Sequence, residues 1–537
     1  MTLSLWDQGL LPDLSPEFVL HQVALVMAQL LSRTILNQQP DGSWGSTIHE
    51  SNSCEVTAYG ILTLKTLSSL PFLESMASEM QASIDAGRHY LFLNHDRWKE
   101  LSYIWIEKVT YGSAVLAQAY CLAALHDTET RTWKGALAEL VCPPMHKAKK
   151  FIGFFSFLPL FSHLSGNPTI KLSILEGYLL LPQLKARRLD IFPRKDMAED
   201  KWLEYIPFTW TCCNYLNKPV KTQLLTEMMI LSMLNYQADE FMEAVVGVRL
   251  QGQETILQQF IIDSCMNTEF ALAPLETTPP GTNGSQNNGT TEAHATGKMS
   301  FETLEAKRVL KKYISHILTH TAVLRAPMRT QNRLRHELAS FLCAHITQNC
   351  DNILFSKQLE EEKIQQELRT QEPFKAANSS FYQWVHTTSA NHTSGPFSWI
   401  FYECLISTNS KELWKGPRTA YLAEDVGRRL STMCRMYNDY GSAKRDRAEA
   451  NVNSLDFPEF YDQEGTEIEL EGREREEHRK DNLMYLAEYE RCCLNSAMKR
   501  LGELANKELM NRVQLFVNVT DFYGQIYVAR DIASRMK

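Results

Sequence analysis

The sequence predicts an all-α protein, and three observations carry that expectation. Apolar residues recur at helical spacing over 18–36, 54–70, 112–125, 223–250 and 254–272, the pattern of helices with a buried face. Strict apolar–polar alternation, which half-buried strands need, is scarce. Proline and glycine fall mostly between the periodic segments, where they interrupt no helix.

Taken in order, the chain opens on MTLSLWDQGLLPDLSPEF. This stretch has no basic start and no long apolar run, so no secretory leader is expected. The run VLHQVALVMAQLL that follows is broken by His21, Gln22 and Gln29, and is too short and polar to span a bilayer. Next comes QQPDGSWG (38–45), a turn, then CEVTAYGILTLKTL (54–67), a helix. FIGFFSFLPLF (151–161) is also too short to cross a membrane, and Pro159 interrupts it. A soluble, cytoplasmic protein with no transmembrane segment is expected. The stretch LLTEMMILSMLNYQADEFMEAVVGVRL is continuously helical in pattern and strongly apolar.

Residues 274–298, PLETTPPGTNGSQNNGTTEAHATGK, are the exception. They contain too little apolar surface to offset the entropy of ordering. They read as a disordered loop between two helices, dispensable for chemistry. KQLEEEKIQQELR (357–369) reads as a solvated helix face, and EGTEIELEGREREEHRK (464–480) as an exposed loop and helix start.

With 537 residues, 44% of them apolar and 22% charged, the chain can bury a large core. A net charge of −8 gives no basic footprint, so nucleic acid is not an expected partner. The twelve cysteines lack CxxC spacing and read as reduced thiols.

Two stretches carry chemistry. In NDYGSAKRD (438–446), Asn438, Ser442 and Asp446 stand four residues apart. On a helix they form one row of an amide oxygen, a hydroxyl and a carboxylate. These hard oxygen donors suit Mg²⁺. In DEFME (239–243), Asp239 and Glu243 emerge from an apolar helix, with Glu240 beside Asp239. Carboxylates in such a setting are costly unless they are paired, solvated or bound to a cation. Two helices facing across a bundle could bracket a cluster of Mg²⁺ ions with these side chains. Mg²⁺ fills its remaining positions with water and substrate phosphate, so the implied substrate is a diphosphate.

These motifs resemble those of the class I terpene synthases. DEFME is similar to the aspartate-rich DDxxD motif of that family, with Glu240 and Glu243 as the departures. NDYGSAKRD is similar to its second motif. FPRKDMAEDKWLEYIPFTWTCCN (192–214), YQADEFMEAVV and RDRAEANVNSLDFPEF resemble the kaurene synthase half of fungal bifunctional copalyl diphosphate/kaurene synthases. QQPDGSWG resembles a turn of the class II cyclase domain, in which Gln and Trp staple barrel helices together.

The resemblance implies a class I helical bundle at 146–537, preceded at 1–145 by a truncated class II-type barrel remnant. The sequence contains no DxDD, the class II acid motif. It implies three Mg²⁺ ions, two held by Asp239 and Glu243 and the third by Asn438, Ser442 and Asp446. Arg435, Lys444 and Arg445 would add positive charge near the phosphate. Trp210, Phe208, Tyr236, Trp399, Phe401 and Tyr402 are candidate pocket aromatics, though ordinary core packing is the commoner role of such residues. Gly395-Pro396 could mark a helix break that senses the substrate.

The implied enzyme is a carbon–oxygen lyase that ionises geranylgeranyl or copalyl diphosphate and cyclises it to a diterpene. A separate copalyl diphosphate synthase is then a possible partner. Three alternatives stay open: a sesquiterpene synthase using farnesyl diphosphate, a chain-elongating prenyl transferase, and a non-catalytic partner of a full-length cyclase. The elongating enzymes carry two aspartate-rich motifs, so the second motif here argues against them.

Overall fold

The computed structural model describes residues 18, 22–45, 53–100, 104–106, 109–126, 145–164, 168–195, 197, 200–216, 218–267, 301–364, 372–407, 411–461 and 472–530. The loop expected at 274–298 lies outside the described residues, as does 464–471. The fold is helical as predicted. One short antiparallel hairpin is added, β1 (Ile104–Ile106) and β2 (Val109–Tyr111), with Ile104 opposite Tyr111.

The chain packs as two units. The first comprises Met1–Gln183 with Trp210–Leu216, and the second Leu184–Thr209 with Asn217–Lys537.

In the first unit, α1 (Ala24–Leu36), α2 (Cys54–Ser68), α3 (Ala77–Leu93) and α4 (Ala114–Leu125) pack together. They are followed by α5 (Met145–Ser156) and α6 (Pro168–Ala186). The QQPDGSWG turn joins three of these helices. Gln38 donates to the carbonyls of Gly42 at 3.0 Å and Ser83 at 2.9 Å. The Trp44 indole N–H donates to the Thr34 carbonyl at 2.7 Å. The Trp44 ring fills the space where Gly60 on α2 and Gly87 on α3 carry no side chain. Gly42 closes the turn at a φ of +86°, a conformation that favours glycine.

The second unit holds the site. After α7 (Tyr205–Asn214), α8 (Thr222–Phe241) runs directly into a π-helical turn at Met242–Val246. Then come α9 (Glu254–Met266), α10 (Phe301–Leu318) and the long α11 (Met328–Ile364). A second π turn, Val385–Ser389, leads through Ala390–His392 to α12 (Gly395–Ile406). The last helices are α13 (Pro417–Ala448), α14 (Gly472–Leu504) and α15 (Lys507–Ala529).

Helix α13 packs against both α14 and α15, and α11 packs against α9 and α12. A Cβ on Gly441 would lie 2.1 Å from the Tyr527 carbonyl oxygen, so α13 and α15 approach backbone to backbone. Of the six candidate aromatics, Trp210, Phe208, Trp399, Phe401 and Tyr402 are buried core. Tyr236 alone keeps part of its surface accessible.

Candidate functional site

Helix α8 delivers Asp239 two residues before its end, and Glu243 follows on the π turn. In this π turn the Met242 carbonyl accepts the backbone N–H of Gly247, five residues on. Here Asn349 of α11 donates its amide to the Met242 carbonyl at 3.0 Å. The Asn349 side chain occupies the space that Gly247 leaves open. Asp239 is partly exposed, with 38% of its side chain accessible, and Glu243 is half-buried.

Two histidines stand beneath Asp239. Its Oδ1 lies 3.7 Å from Nδ1 of His345 on α11 and 3.9 Å from Nε2 of His392, at the end of the short Ala390–His392 segment. The two imidazoles contact each other, with ring centroids 3.9 Å apart. His345 is fully buried, and burial, reinforced by the Arg435 charge, pulls its pKa down to about 3. His392 is likewise held well below its ordinary value by burial, by His345 and by Arg435. Burial thus disfavours the protonated form of both rings.

On α13, the predicted row is present. Ser442 donates its hydroxyl to Asp446 Oδ2 at 2.6 Å and lies 2.8 Å from the Asn438 carbonyl. Asn453 donates to the same Asp446 oxygen at 2.8 Å, and Arg445 approaches Asp446 Oδ1 at 3.3 Å. Ser442 and Asp446 are buried, while Asn438 remains half-exposed.

Arg435 is one turn before Asn438 and is buried, at 9% exposure. Its Nε lies 2.7 Å from Asp439 Oδ1. Burial opposes its charge, yet Asp439, Asp446 and Asp239 together raise its pKa. Asp439 is itself fixed by the backbone N–H and hydroxyl of Ser454, at 3.0 and 2.6 Å.

His392 joins the two motifs. Its Nδ1 lies 3.5 Å from Arg435 Nη1, and a guanidinium can only donate, so Nδ1 accepts. The ring proton then sits on Nε2, facing Asp239. His392 thus stands between Asp239 of α8, at 3.9 Å, and Arg435 of α13, at 3.5 Å. The helix break before α12 is tied to both helices as well. Asn235 of α8 donates to the hydroxyls of Ser394 at 3.0 Å and Ser398 at 2.9 Å. Ser394 adopts a φ of 62°, and the Cβ position of Gly395 is taken by Ser431 of α13.

The structure therefore brings together Asp239, Arg435, Asn438, Ser442 and Asp446, with Arg445 at the edge. Lys444 is exposed. It is two residues from both Ser442 and Asp446, which on a helix turns it to the opposite side of the row. Sequence reasoning missed Asp439, His345 and His392. Asp439 had a signal, since it adjoins Asn438, and its holder Ser454 lies in the quoted NVNSLD. The histidines had none.

The donor sets can be tested for the cation they fit. Two rows of oxygen donors, with Asp239, Glu243 and Asn438 partly exposed, suit a hard divalent ion. Asp239, His345 and His392 also bring three ligand atoms within 4.8 Å of one another, a grouping able to hold a metal ion. A ligating histidine usually donates its second nitrogen to an acceptor. His392 instead accepts from a buried guanidinium, which places positive charge against any ion bound there.

No protein-family profile matches the chain. Full-length matching to individual proteins is extensive. The chain is 38% identical to pimaradiene synthase pbcA of Emericella nidulans, over 98% of this chain and 53% of that protein. It is 33% identical to the ent-kaur-16-ene synthase of Fusarium fujikuroi, over 100% of this chain and 54% of that protein. It is 30% identical to the phyllocladan-16-alpha-ol synthase of Phomopsis amygdali, over 98% of this chain and 54% of that protein. The chain spans about half the length of the curated relatives it matches.

Proposed function

We propose that this chain, a homologue of fungal diterpene synthases along its whole length and a likeness of their class I, kaurene synthase half, is a terpene cyclase. Its substrate in this reading is geranylgeranyl or copalyl diphosphate, the latter supplied by a separate class II cyclase. The chain has no DxDD sequence, so the reading assigns it no class II step. The observation that supports the proposal is the approach of Asp239 and Arg435, one from each motif, to the same His392 ring.

Asp239 and Glu243 would hold two Mg²⁺ ions, and Asn438, Ser442 and Asp446 a third. When bound, these ions supply the Lewis-acid charge that stabilises diphosphate as it leaves. The protein's own groups do the rest. Arg435, kept charged by three aspartates, adds a fixed positive charge at the same centre. The neutral His392 holds that guanidinium in place without adding a competing charge. Asn453 and Ser442 orient Asp446, so its carboxylate needs little reorganisation to take a ligand. The apolar flank of α8 keeps water from the cation formed when the allylic carbon–oxygen bond breaks.

The deciding experiment incubates purified protein with Mg²⁺ and, separately, geranylgeranyl, copalyl and farnesyl diphosphate, with hydrocarbons read by mass spectrometry. A diterpene from either of the first two supports the proposal. A sesquiterpene from farnesyl diphosphate alone replaces the substrate class. No product from any of them overturns the enzyme reading.

A further inference from the structure

The second acid of DEFME does not share the first one's surroundings. Glu240 follows Asp239, so on the helix it points about 100° away. It is buried, at 8% exposure, and its Oε1 accepts the indole N–H of Trp202 at 3.0 Å. Trp202 is itself buried and stacks on Tyr236, with ring centroids 5.1 Å apart and planes within 7°. Tyr236 and Glu240 are one helical turn apart on α8. One face of this helix therefore grips Trp202 twice, by its ring and by its nitrogen. On the same side, the Arg188 guanidinium lies 6.0 Å from the Trp202 ring and pairs with Asp200 at 2.5 Å. Gln237 of α8 donates to the Arg188 carbonyl.

The gripped tryptophan belongs to a larger aromatic surface. The Tyr236 and Tyr527 hydroxyls meet at 2.5 Å, and Tyr523 packs 6.4 Å from Tyr236 and 6.3 Å from Tyr527. Tyr236, Tyr523 and Tyr527 each keep some surface accessible. Yet desolvation raises the Tyr236 and Tyr527 hydroxyls well above their ordinary pKa. Tyr236 lies three residues before Asp239 on α8, so this aromatic surface adjoins the metal motif.

We propose that Glu240 is a positioning residue for this wall: it holds Trp202 flat against Tyr236, and the Trp202–Tyr236 stack determines which products form. The inference rests on the cyclase reading above and deepens it. Flat aromatic faces stabilise a passing cation and exclude conformers that would collide with them. A ring that can rotate does neither with the same selectivity. Glu240 then contributes shape, and Asp239 and Glu243 contribute ligands.

The test uses the intact chain with Glu240→Gln, Glu240→Ala, Trp202→Phe and, as a contrast, Asp239→Asn. Gln keeps an oxygen acceptor for the indole, so Glu240→Gln is expected to retain the wild-type product ratio. Glu240→Ala and Trp202→Phe are each expected to change that ratio. All three should leave the Mg²⁺ concentration for half-maximal rate within about twofold of wild type, while Asp239→Asn raises it about tenfold or more. A Glu240→Gln enzyme that needs as much extra Mg²⁺ as Asp239→Asn would overturn the proposal, as would unchanged products in both Glu240→Ala and Trp202→Phe. The near-ultraviolet circular dichroism band of the stacked pair gives a readout independent of turnover. It should weaken in Glu240→Ala and persist in Glu240→Gln, and an identical band in the two variants would refute the clamp. Absence of any product from wild type, with the band behaving as expected, would instead count against the cyclase reading.

Discussion

The amide of Asn349 donates to the carbonyl of Met242 at 3.0 Å, adding a donor from α11 to a carbonyl that also accepts the Gly247 N–H at the end of the π turn. Glu243 is the next residue. The spacing between the two acids of this motif is thus set partly by a side chain from another helix. Asn349→Ala should remove one of the two donors to the Met242 carbonyl, which also accepts the Gly247 N–H, and cost about 1 kcal/mol of stability. It should also raise the Mg²⁺ requirement, since Glu243 would lose its fixed place. Thermal melts and Mg²⁺ titration of the rate check both effects.

Asp239→Asn removes a full negative charge from the first row, and Asn438→Ala removes a neutral oxygen from the second. Both should greatly reduce cyclisation, Asp239→Asn the more. Ser442→Ala should give a partial loss that added Mg²⁺ relieves, because water can replace one neutral oxygen. Far-ultraviolet circular dichroism should stay that of wild type in all three. Full activity of Asp239→Asn at limiting Mg²⁺ would contradict the role assigned to it.

Arg435→Lys tests the fixed charge. Lysine keeps the charge but cannot reach Asp439 and His392 together with one planar group. The expected result is a fall in kcat of about tenfold or more, larger than the change in KM. An unchanged kcat would show that the guanidinium acts only as packing.

Glu403 makes stability depend on pH. It is buried at 2% exposure, accepts from Trp414 at 2.7 Å and pairs with Arg333 at 3.0 Å. Burial dominates and pushes its pKa from 4.5 up to about 7. Between those values the folded protein binds a proton that the unfolded chain has released. Stability from this group is therefore full below pH about 4.5 and declines as pH rises toward 7. The loss is at most about 3 kcal/mol. Glu403→Gln should flatten the dependence of melting temperature on pH over this window.

Both oxygen rows were legible because donors repeated every four residues on helices, a pattern that survives without tertiary knowledge. The Gln38–Trp44 staple was expected only from the resemblance of QQPDGSWG to a class II cyclase turn, because its partners Ser83, Gly60 and Gly87 lie on helices that the turn sequence does not name. The connection between the rows was not. His345 and His392 lie far from either motif in the chain, and a lone histidine on an apolar helix carries no signal of its neighbours. The π turn at Met242–Val246 was hidden as well, since nothing local distinguishes it from α-helix until Asn349 arrives from elsewhere. Glu240 illustrates a different limit. Spelling grouped it with Asp239, whereas helix rotation sends it to Trp202. The same rotation separates Lys444 from the donors that flank it in sequence.

The bare Cα of Gly441 against the Tyr527 carbonyl has a consequence for how this protein can be altered. Gly441 sits between Asn438 and Ser442, so the donor row rests on the terminal helix as a blade rests on a fence. Even a methyl group at 441 would lift the row from that support. The axial rotation of α13 is then gauged by the backbone of α15, whatever side chains α15 carries. Residues of the terminal helix can be exchanged to reshape the aromatic lining while the donors keep their aim. Substitution at 441 would do the reverse, spoiling the aim and leaving the lining intact.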